Sequence, residues 1–232
     1  MIEVQNQLEI KPETGNSTKP LLPLVVGGLT ITCEDNMQLM SRYPDNYFDL
    51  AIVDPPYGIN IETSGTHFKK NKSKGWDSAT PNKEYFNELK RVSKEQIIWG
   101  GNYFFDELGN TKTFIIWDKK IAEDMSFAMC ELAWTSFKNG AKIFKETATQ
   151  IDRIHPTQKP IQLYKWTLKR YAKDGFKILD THLGSGSHAI AVEEMNRFEK
   201  MNLTLTACEI DEEYFNDTKQ RIINHVAQQS LF

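Results

Sequence analysis

Cysteine is scarce: Cys33, Cys130 and Cys208 are the only three in 232 residues. An odd, widely separated set supports neither a disulfide framework nor a zinc cluster. The thiols read as small buried hydrophobes, and no metal is expected. Long apolar runs are missing too. None approaches the roughly 20 residues that span a bilayer, so no membrane partner is expected. Met1–Pro20 lacks the basic, apolar and small-residue order of a secretion signal, which favours the cytoplasm. There is no internal repeat and no low-complexity tract. Nor is there a surplus of positive charge: the net charge of −3 does not by itself announce a polyanionic partner. What is present is 40% hydrophobic and 11% aromatic residues, enough for one domain with a sizeable core.

Residues 1–26 are polar and punctuated by Pro12, Gly15, Pro20 and Pro23, and read as a flexible lead-in to a single domain over 27–232. Leu29–Cys33 alternates as a strand, Asn36–Tyr43 reads as a short helix, and Phe48–Val53 is an apolar run of strand length. The polar stretch from Gly58 to Pro81 is too long for a plain connection, and loops of that length are usually functional or disordered. Helix periodicity follows over Asn82–Val92, then strands at Gln96–Trp99, Thr113–Trp117 and Glu131–Phe137. A second series runs helix 161–172, strand Lys177–Asp180, helix His188–Arg197, strand Leu203–Cys208 and a final helix from Glu212 to about Val226. Strands alternating with helices predict an α/β fold, with a mostly parallel sheet wound on both faces.

Two strand ends carry chemistry. At the first, Asp54-Pro55-Pro56-Tyr57 follows the apolar run, and two prolines without N–H donors must end the strand there. The result is a stiff corner bearing a carboxylate, free carbonyls and an aromatic ring, suited to a planar, amine-bearing ring. Hydrogen bonds from an exocyclic amine to Asp54 and the Pro55 carbonyl would draw its nitrogen toward tetrahedral geometry and free a lone pair otherwise delocalised into the ring. Tyr57 would stack on the ring. Read without a ligand, the same four residues are a proline-terminated strand with an Asp cap. The second end is Asp180-Thr181-His182-Leu183-Gly184-Ser185-Gly186-Ser187, a Gly-x-Gly turn between strand and helix, with Glu209 at the tip of the next strand. Gly-x-Gly alone is as often a tight turn as a site. With Asp180 before it and Glu209 placed to accept from ribose hydroxyls, it favours a nucleoside. The third glycine of the dinucleotide fingerprint and a phosphate-gripping Lys-Ser/Thr pair are both missing, so a nucleoside without phosphates, S-adenosylmethionine, fits best.

Together these motifs resemble the DNA amino-methyltransferases that act on adenine N6 or cytosine N4, in the class whose catalytic motif precedes the cofactor motif. The resemblance spans roughly residues 28–226. It implies an S-adenosylmethionine-dependent methyltransferase fold, Rossmann-like and circularly permuted, with a catalytic half over about 27–134 and a cofactor half over about 155–232. Asp54, Pro55, Pro56 and Tyr57 correspond to the family's catalytic corner. Asp180, Gly184, Ser185 and Gly186 match its cofactor loop. Ser187 keeps a hydroxyl, and His182 replaces a phenylalanine that packs on the cofactor. His155-Pro156-Thr157-Gln158-Lys159-Pro160 resembles the segment that closes over the methionine end, which puts Lys159 on the cofactor side. Glu209 takes the ribose role, and Asp35 resembles the acid that contacts the cofactor's adenine. Trp117, Lys119 and Glu131 also match the group.

The resemblance implies double-stranded DNA as partner, with the target base flipped out. Asp at the first catalytic position favours adenine over cytosine. More distant readings are RNA, a protein glutamine amide, or a non-catalytic DNA-binding module that keeps the fold; an intact Asp54 with Tyr57 argues against the last. The recognition segment, about 135–154, is short for the class, so recognition would be short-range, shared with the 58–81 loop, or supplied by a partner or second subunit, such as a second copy in a homodimer. Lys138–Lys173 holds nine Lys or Arg against two acids. Lys69, Lys70, Lys72 and Lys74 form a second basic cluster, expected to contact phosphates.

Overall fold

The computed structural model describes residues 21–59, 77–123, 128–148, 153–155 and 157–229. Its sheet has nine strands: β1 (Leu24–Val26), β2 (Leu29–Cys33), β3 (Phe48–Val53), β4 (Ser93–Trp99), β5 (Phe114–Asp118), β6 (Cys130–Thr135), β7 (Lys142–Lys145), β8 (Lys177–Asp180) and β9 (Thr204–Glu209). Their order across the sheet is β1-β2-β9-β8-β3-β4-β6-β5-β7. From β2 to β4 every pairing is parallel; β1 and β6 run antiparallel to their neighbours. The fold is thus the expected α/β type with a mostly parallel sheet. The last two strands of the chain sit between its second and third, which is the permuted order. Parallel neighbours need crossover connections wherever the chain starts, so the permutation leaves the sheet intact.

Central strands are apolar on both faces because both faces are covered. On β3, Leu50 and Ile52 pack with α4 (Ile161–Tyr171), α5 (Ser187–Glu199) and α6 (Glu212–Gln229). Ala51 and Val53 pack on the other side with α1 (Asn36–Ser41), α2 (Lys83–Val92) and α3 (Phe105–Leu108). Local signals fix the helices as well. Asn82 caps α2 by accepting from the Tyr85 N–H at 3.0 Å, and Glu84 with Lys90 and Arg91 complements its dipole. Its buried face is Tyr85, Phe86, Leu89 and Val92, the stripe that the sequence periodicity predicts.

Three features depart from the sequence reading. Leu24–Val26, within the stretch read as lead-in, forms an antiparallel edge strand on β2. β7 lies within the short segment read as recognition and pairs in parallel with β5. A 3-10 turn at Gly101–Tyr103 leads into the one-turn α3. All three are short, and pieces of three or four residues are placed by tertiary pairing more than by their own pattern.

Candidate active site

β8 is the point where strand order diverges: the chain continues to β9 on one side, while β3 lies on the other. In such sheets ligands lie in the crevice beyond the carboxyl ends of the strands. Asp54, Asp180 and Glu209 all sit at those ends. A cleft of about 180 Å³ opens there, bounded by Asp54 and Pro56 from the first half of the chain and by Lys159, His182, Gly184, Ser185 and Glu209 from the second.

The proline corner is held from several sides. The N–H groups of Tyr57 and Gly58 donate to Oδ1 of Asp77 at 2.7 and 2.9 Å, and Asp77 is buried. The Tyr57 ring lies against Gly100, where a Cβ would stand 2.1 Å from ring carbon Cε1. Tyr103 stacks on it at 5.0 Å and 15°, and Phe104 meets it edge-on at 6.2 Å. The Tyr57 hydroxyl donates to Asp54 Oδ1 at 2.6 Å. The ring expected to stack on a target base is therefore engaged with the protein on the Gly100–Tyr103 side and tied to the carboxylate by its hydroxyl. Pro55 is buried and Pro56 lines the cleft. Asp77 carries no sequence signal beyond closing a long loop. Asp77→Ala would orphan two N–H groups at the corner, each costing about 1–3 kcal/mol. A fall in melting temperature of several degrees is expected, which thermal denaturation checks.

Lys159 stands at this corner rather than only at the cofactor side. Its Nζ lies 2.5 Å from Asp54 Oδ2 and 3.0 Å from Glu131 Oε2, and donates to the Tyr57 hydroxyl at 3.2 Å. Lys119 pairs with the other Glu131 oxygen at 2.7 Å. Burial works against the Lys159 ammonium, yet Asp54 and Glu131 together hold its pKa above the usual lysine range. Burial also opposes the Glu131 charge, but Lys159 and Lys119 bring its pKa down to about 2. Asp54 moves upward, first through burial and then through Glu131, despite the pull of Lys159 and the Tyr57 hydrogen bond. Glu131 thus adds stability that is present above the ordinary carboxylate pKa and is lost as pH falls toward about 2.

On the cofactor side, some matched residues face the cleft and others hold the turn. Asp180 is buried; its Oδ1 accepts from the His182 N–H at 3.0 Å, and its Oδ2 lies 2.8 Å from His188 Nδ1. His188 stacks on Tyr164 at 4.7 Å and 10°. Gly186, at φ +75°, starts α5; a Cβ there would meet Thr218 Cγ2 at 2.7 Å, so this glycine lets α6 pack close. Ser187 is buried and accepts from Arg221 at 3.1 Å. Gly184, at φ +52°, lines the cleft, and the nearest atoms to a Cβ there would be those of the His155 ring at 3.8 Å, an ordinary contact distance. Its N–H donates to Glu209 Oε2 at 2.9 Å, and the Asp211 N–H donates to Oε1 at 2.9 Å. Burial raises the Glu209 pKa against these two donors.

His182 occupies the position read as a substituted phenylalanine. Asn36 Nδ2 lies 3.1 Å from its Nε2, Thr181 Oγ1 lies 3.0 Å from its Nδ1, and the Tyr85 ring meets it edge-on at 5.3 Å. Burial lowers its pKa to about 4, so near neutral pH it is an uncharged ring, as a phenylalanine would be. Asp35 caps α1, with Oδ1 accepting from the N–H groups of Met37 and Gln38 at 2.8 and 3.1 Å. Its neighbours Glu34 and Asn36 line the cleft. Sequence reading passed over both, since a helix start offers several polar residues and only the cap geometry says which one turns inward. The basic cluster at Lys69, Lys70, Lys72 and Lys74 lies outside the described residues. Among the described residues no group of His, Cys, Asp or Glu is placed to hold a metal, and no helix is long and apolar enough to cross a membrane.

Residues 130–220 match the family described as DNA methylase, of the N6/N4 type. The chain resembles the DNA amino-methyltransferases. That match takes in Glu131, Lys159, the glycine turn and Glu209, while the Asp54 corner falls outside it. Solved structures agree on the fold. M1.HpyAVI in complex with SAM is 16% identical over 84% of this chain and 98% of its own, with a TM-score of 0.57. The cytosine-N4-specific PvuII DNA methyltransferase is 11% identical over 85% of this chain and 90% of its own, also at 0.57. TTHA0409 of Thermus thermophilus, a putative DNA modification methylase complexed with S-adenosyl-L-methionine, is 15% identical over 84% and 95%, at 0.55. Comparison with curated proteins gave no match.

Proposed function

We propose that this protein transfers a methyl group from S-adenosylmethionine to the exocyclic N6 amine of adenine in DNA. The observation that carries this reading is the shared cleft at the strand divergence, with Asp54 at one end and Glu209 at the other. The cofactor end suits a nucleoside. Glu209 spends one acceptor position per oxygen on the Gly184 and Asp211 N–H groups and keeps the others for ribose hydroxyls. His182 offers an uncharged ring, and Gly184 lines the cleft without a side chain. When bound, S-adenosylmethionine supplies an electrophilic methyl group on a sulfonium centre.

The chain's own residues prepare the other reactant. Asp54 and the Pro55 carbonyl accept the two amine N–H groups, which favours tetrahedral nitrogen and directs its lone pair toward the cofactor end. Asp54, raised above the usual carboxylate range by burial, is also a suitable acceptor for the proton the methylated nitrogen must shed. Tyr57 steadies Asp54 through its hydroxyl, and the prolines keep the corner stiff. Double-stranded DNA would reach the cleft with the base flipped out, and Lys69, Lys70, Lys72 and Lys74 supply cations for the backbone.

A second reading, transfer to cytosine N4, is favoured by the likeness to the PvuII enzyme. Incubation with labelled cofactor and unmethylated duplex DNA, followed by nucleoside analysis, separates them. N6-methyladenine is the expected product; finding N4-methylcytosine instead would make cytosine the target, and no label would sink both readings.

A further inference from the structure

We propose that Lys159 is a positioning residue for Asp54: its buried ammonium, shared with Glu131, keeps the Asp54 carboxylate ionised and aimed while the corner awaits an amine. This rests on the methyltransfer reading above. It gives Lys159 a role at the amine end of the cleft, where the segment around it was read as cofactor-side.

The geometry is that of a shared counter-ion. Asp54 and Glu131 come from different strands and would repel across a small buried space. Lys159 sits between them, with Nζ 2.5 Å from one carboxylate and 3.0 Å from the other. Lys119 neutralises the far oxygen of Glu131, so two carboxylates face two ammonium groups. Lys159 also lies over the rings of Tyr57 and Trp99, at 5.6 and 5.5 Å, which fixes where its charge can go. Asp54 needs such a partner. A carboxylate out of water favours its neutral form, and a protonated Asp54 would offer a donor where the amine requires an acceptor. Glu131 plays the opposite part: its charge raises the Asp54 pKa and draws Lys159 away. Among the described residues, the hydroxyls of Tyr57, Tyr164 and Tyr85 also interact with Asp54, all pushed upward by burial and uncharged near neutral pH. Among the described residues, Lys159 and Glu131 are the charges that act on the Asp54 carboxyl, the first favouring its ionised form and the second opposing it.

Asp54 Oδ2 holds Lys159 and Oδ1 holds Tyr57, and each oxygen keeps a further acceptor position for an incoming amine.

The test uses two substitutions with opposite signs and two readouts. Lys159→Met should move the acid limb of the kcat/KM–pH profile for methyl transfer to higher pH by about one unit or more, with much of the deficit recovered at alkaline pH. Glu131→Gln should move it to lower pH. A purely structural role predicts losses uniform in pH for both. Should Lys159→Met fail to fold, the double variant Lys159→Met/Glu131→Gln removes one charge of each sign, leaving Asp54 and Lys119, and its limb should still lie above that of Glu131→Gln alone. Titration of the Asp54 carboxyl by carbon-13 NMR follows the same shifts without any catalysis. Opposite shifts in that titration support the inference, and an unmoved Asp54 titration overturns it. Failure of the wild type to methylate DNA would instead sink the functional reading, and the carboxyl titration would still decide whether Lys159 controls Asp54.

Discussion

Asp54→Ala is expected to reduce methyl transfer by at least about a thousandfold while leaving cofactor affinity within about threefold, the scale seen when a preorganised polar group is removed from a reacting centre. The argument is geometric. Asp54 lies just past β3, where Pro55 and Pro56 forbid any extension of the ladder, and its carboxylate is the acceptor at the amine end of the cleft. The donors to Glu209 come from Gly184 and Asp211, and neither residue contacts Asp54 through any bond described above. Removing the carboxylate leaves Lys159 with Glu131 alone, an excess of positive charge in a buried place. A stability loss of up to about 3 kcal/mol follows, at the low end for breaking a buried pair because the cleft admits water. Asp54→Asn is the sharper control. It keeps the volume but presents an NH₂ group or a single oxygen where two acceptor oxygens stood, and should be nearly as inactive. Calorimetric titration of cofactor with each variant, beside a labelled-methyl assay, checks the separation. Retention of a tenth of wild-type activity by Asp54→Ala would remove Asp54 from the chemistry.

The second large effect is expected from a residue with no functional group. Gly100 has φ +69°, which costs a residue with a Cβ about 1–2 kcal/mol. In Gly100→Ala that Cβ would also stand 2.1 Å from the Tyr57 ring. The obstacle is an aromatic ring pinned by Tyr103 and by its bond to Asp54, so it cannot give way cheaply. Overpacking adds about 1–3 kcal/mol. The corner should yield before the sheet does: Tyr57 is displaced, the Tyr57–Asp54 hydrogen bond is lost, and methyl transfer falls by about a hundredfold or more. Cofactor affinity should hardly change. Thermal melting, cofactor titration and activity measured on one sample test this. A variant with a normal melting temperature and normal activity would mean that Tyr57 does not depend on its seat against Gly100.

Both expectations turn on how the two halves of the chain meet, and the sequence conveyed that unevenly. Asp54-Pro55-Pro56-Tyr57 and the turn from Asp180 to Ser187 were legible because their chemistry is local. Proline ends a strand through its own covalent structure, and glycine opens a turn through its missing Cβ. The central strands were legible for the same reason, since apolar runs such as Phe48–Val53 suit only a sheet covered on both faces. Asp180, matched to the cofactor loop, instead braces it through the His182 N–H and His188. Asp35 caps a helix beside the residues that line the cleft.

By itself, then, the sequence determined the α/β class, the strand ends that carry polar groups, and the resemblance that joins them, because strand patterning, proline and glycine act over a few residues. Only the tertiary structure decided what surrounds Asp54. Lys159 reaches it from just before α4, Glu131 from β6, and Gly100 from the end of β4 shapes the seat of Tyr57. These partners stand between about 40 and 110 residues from Asp54 along the chain, and no periodicity links positions so far apart. Their meeting depends on β4 and β6 pairing beside β3 and on the crossover that brings the last strands of the chain back into the middle of the sheet.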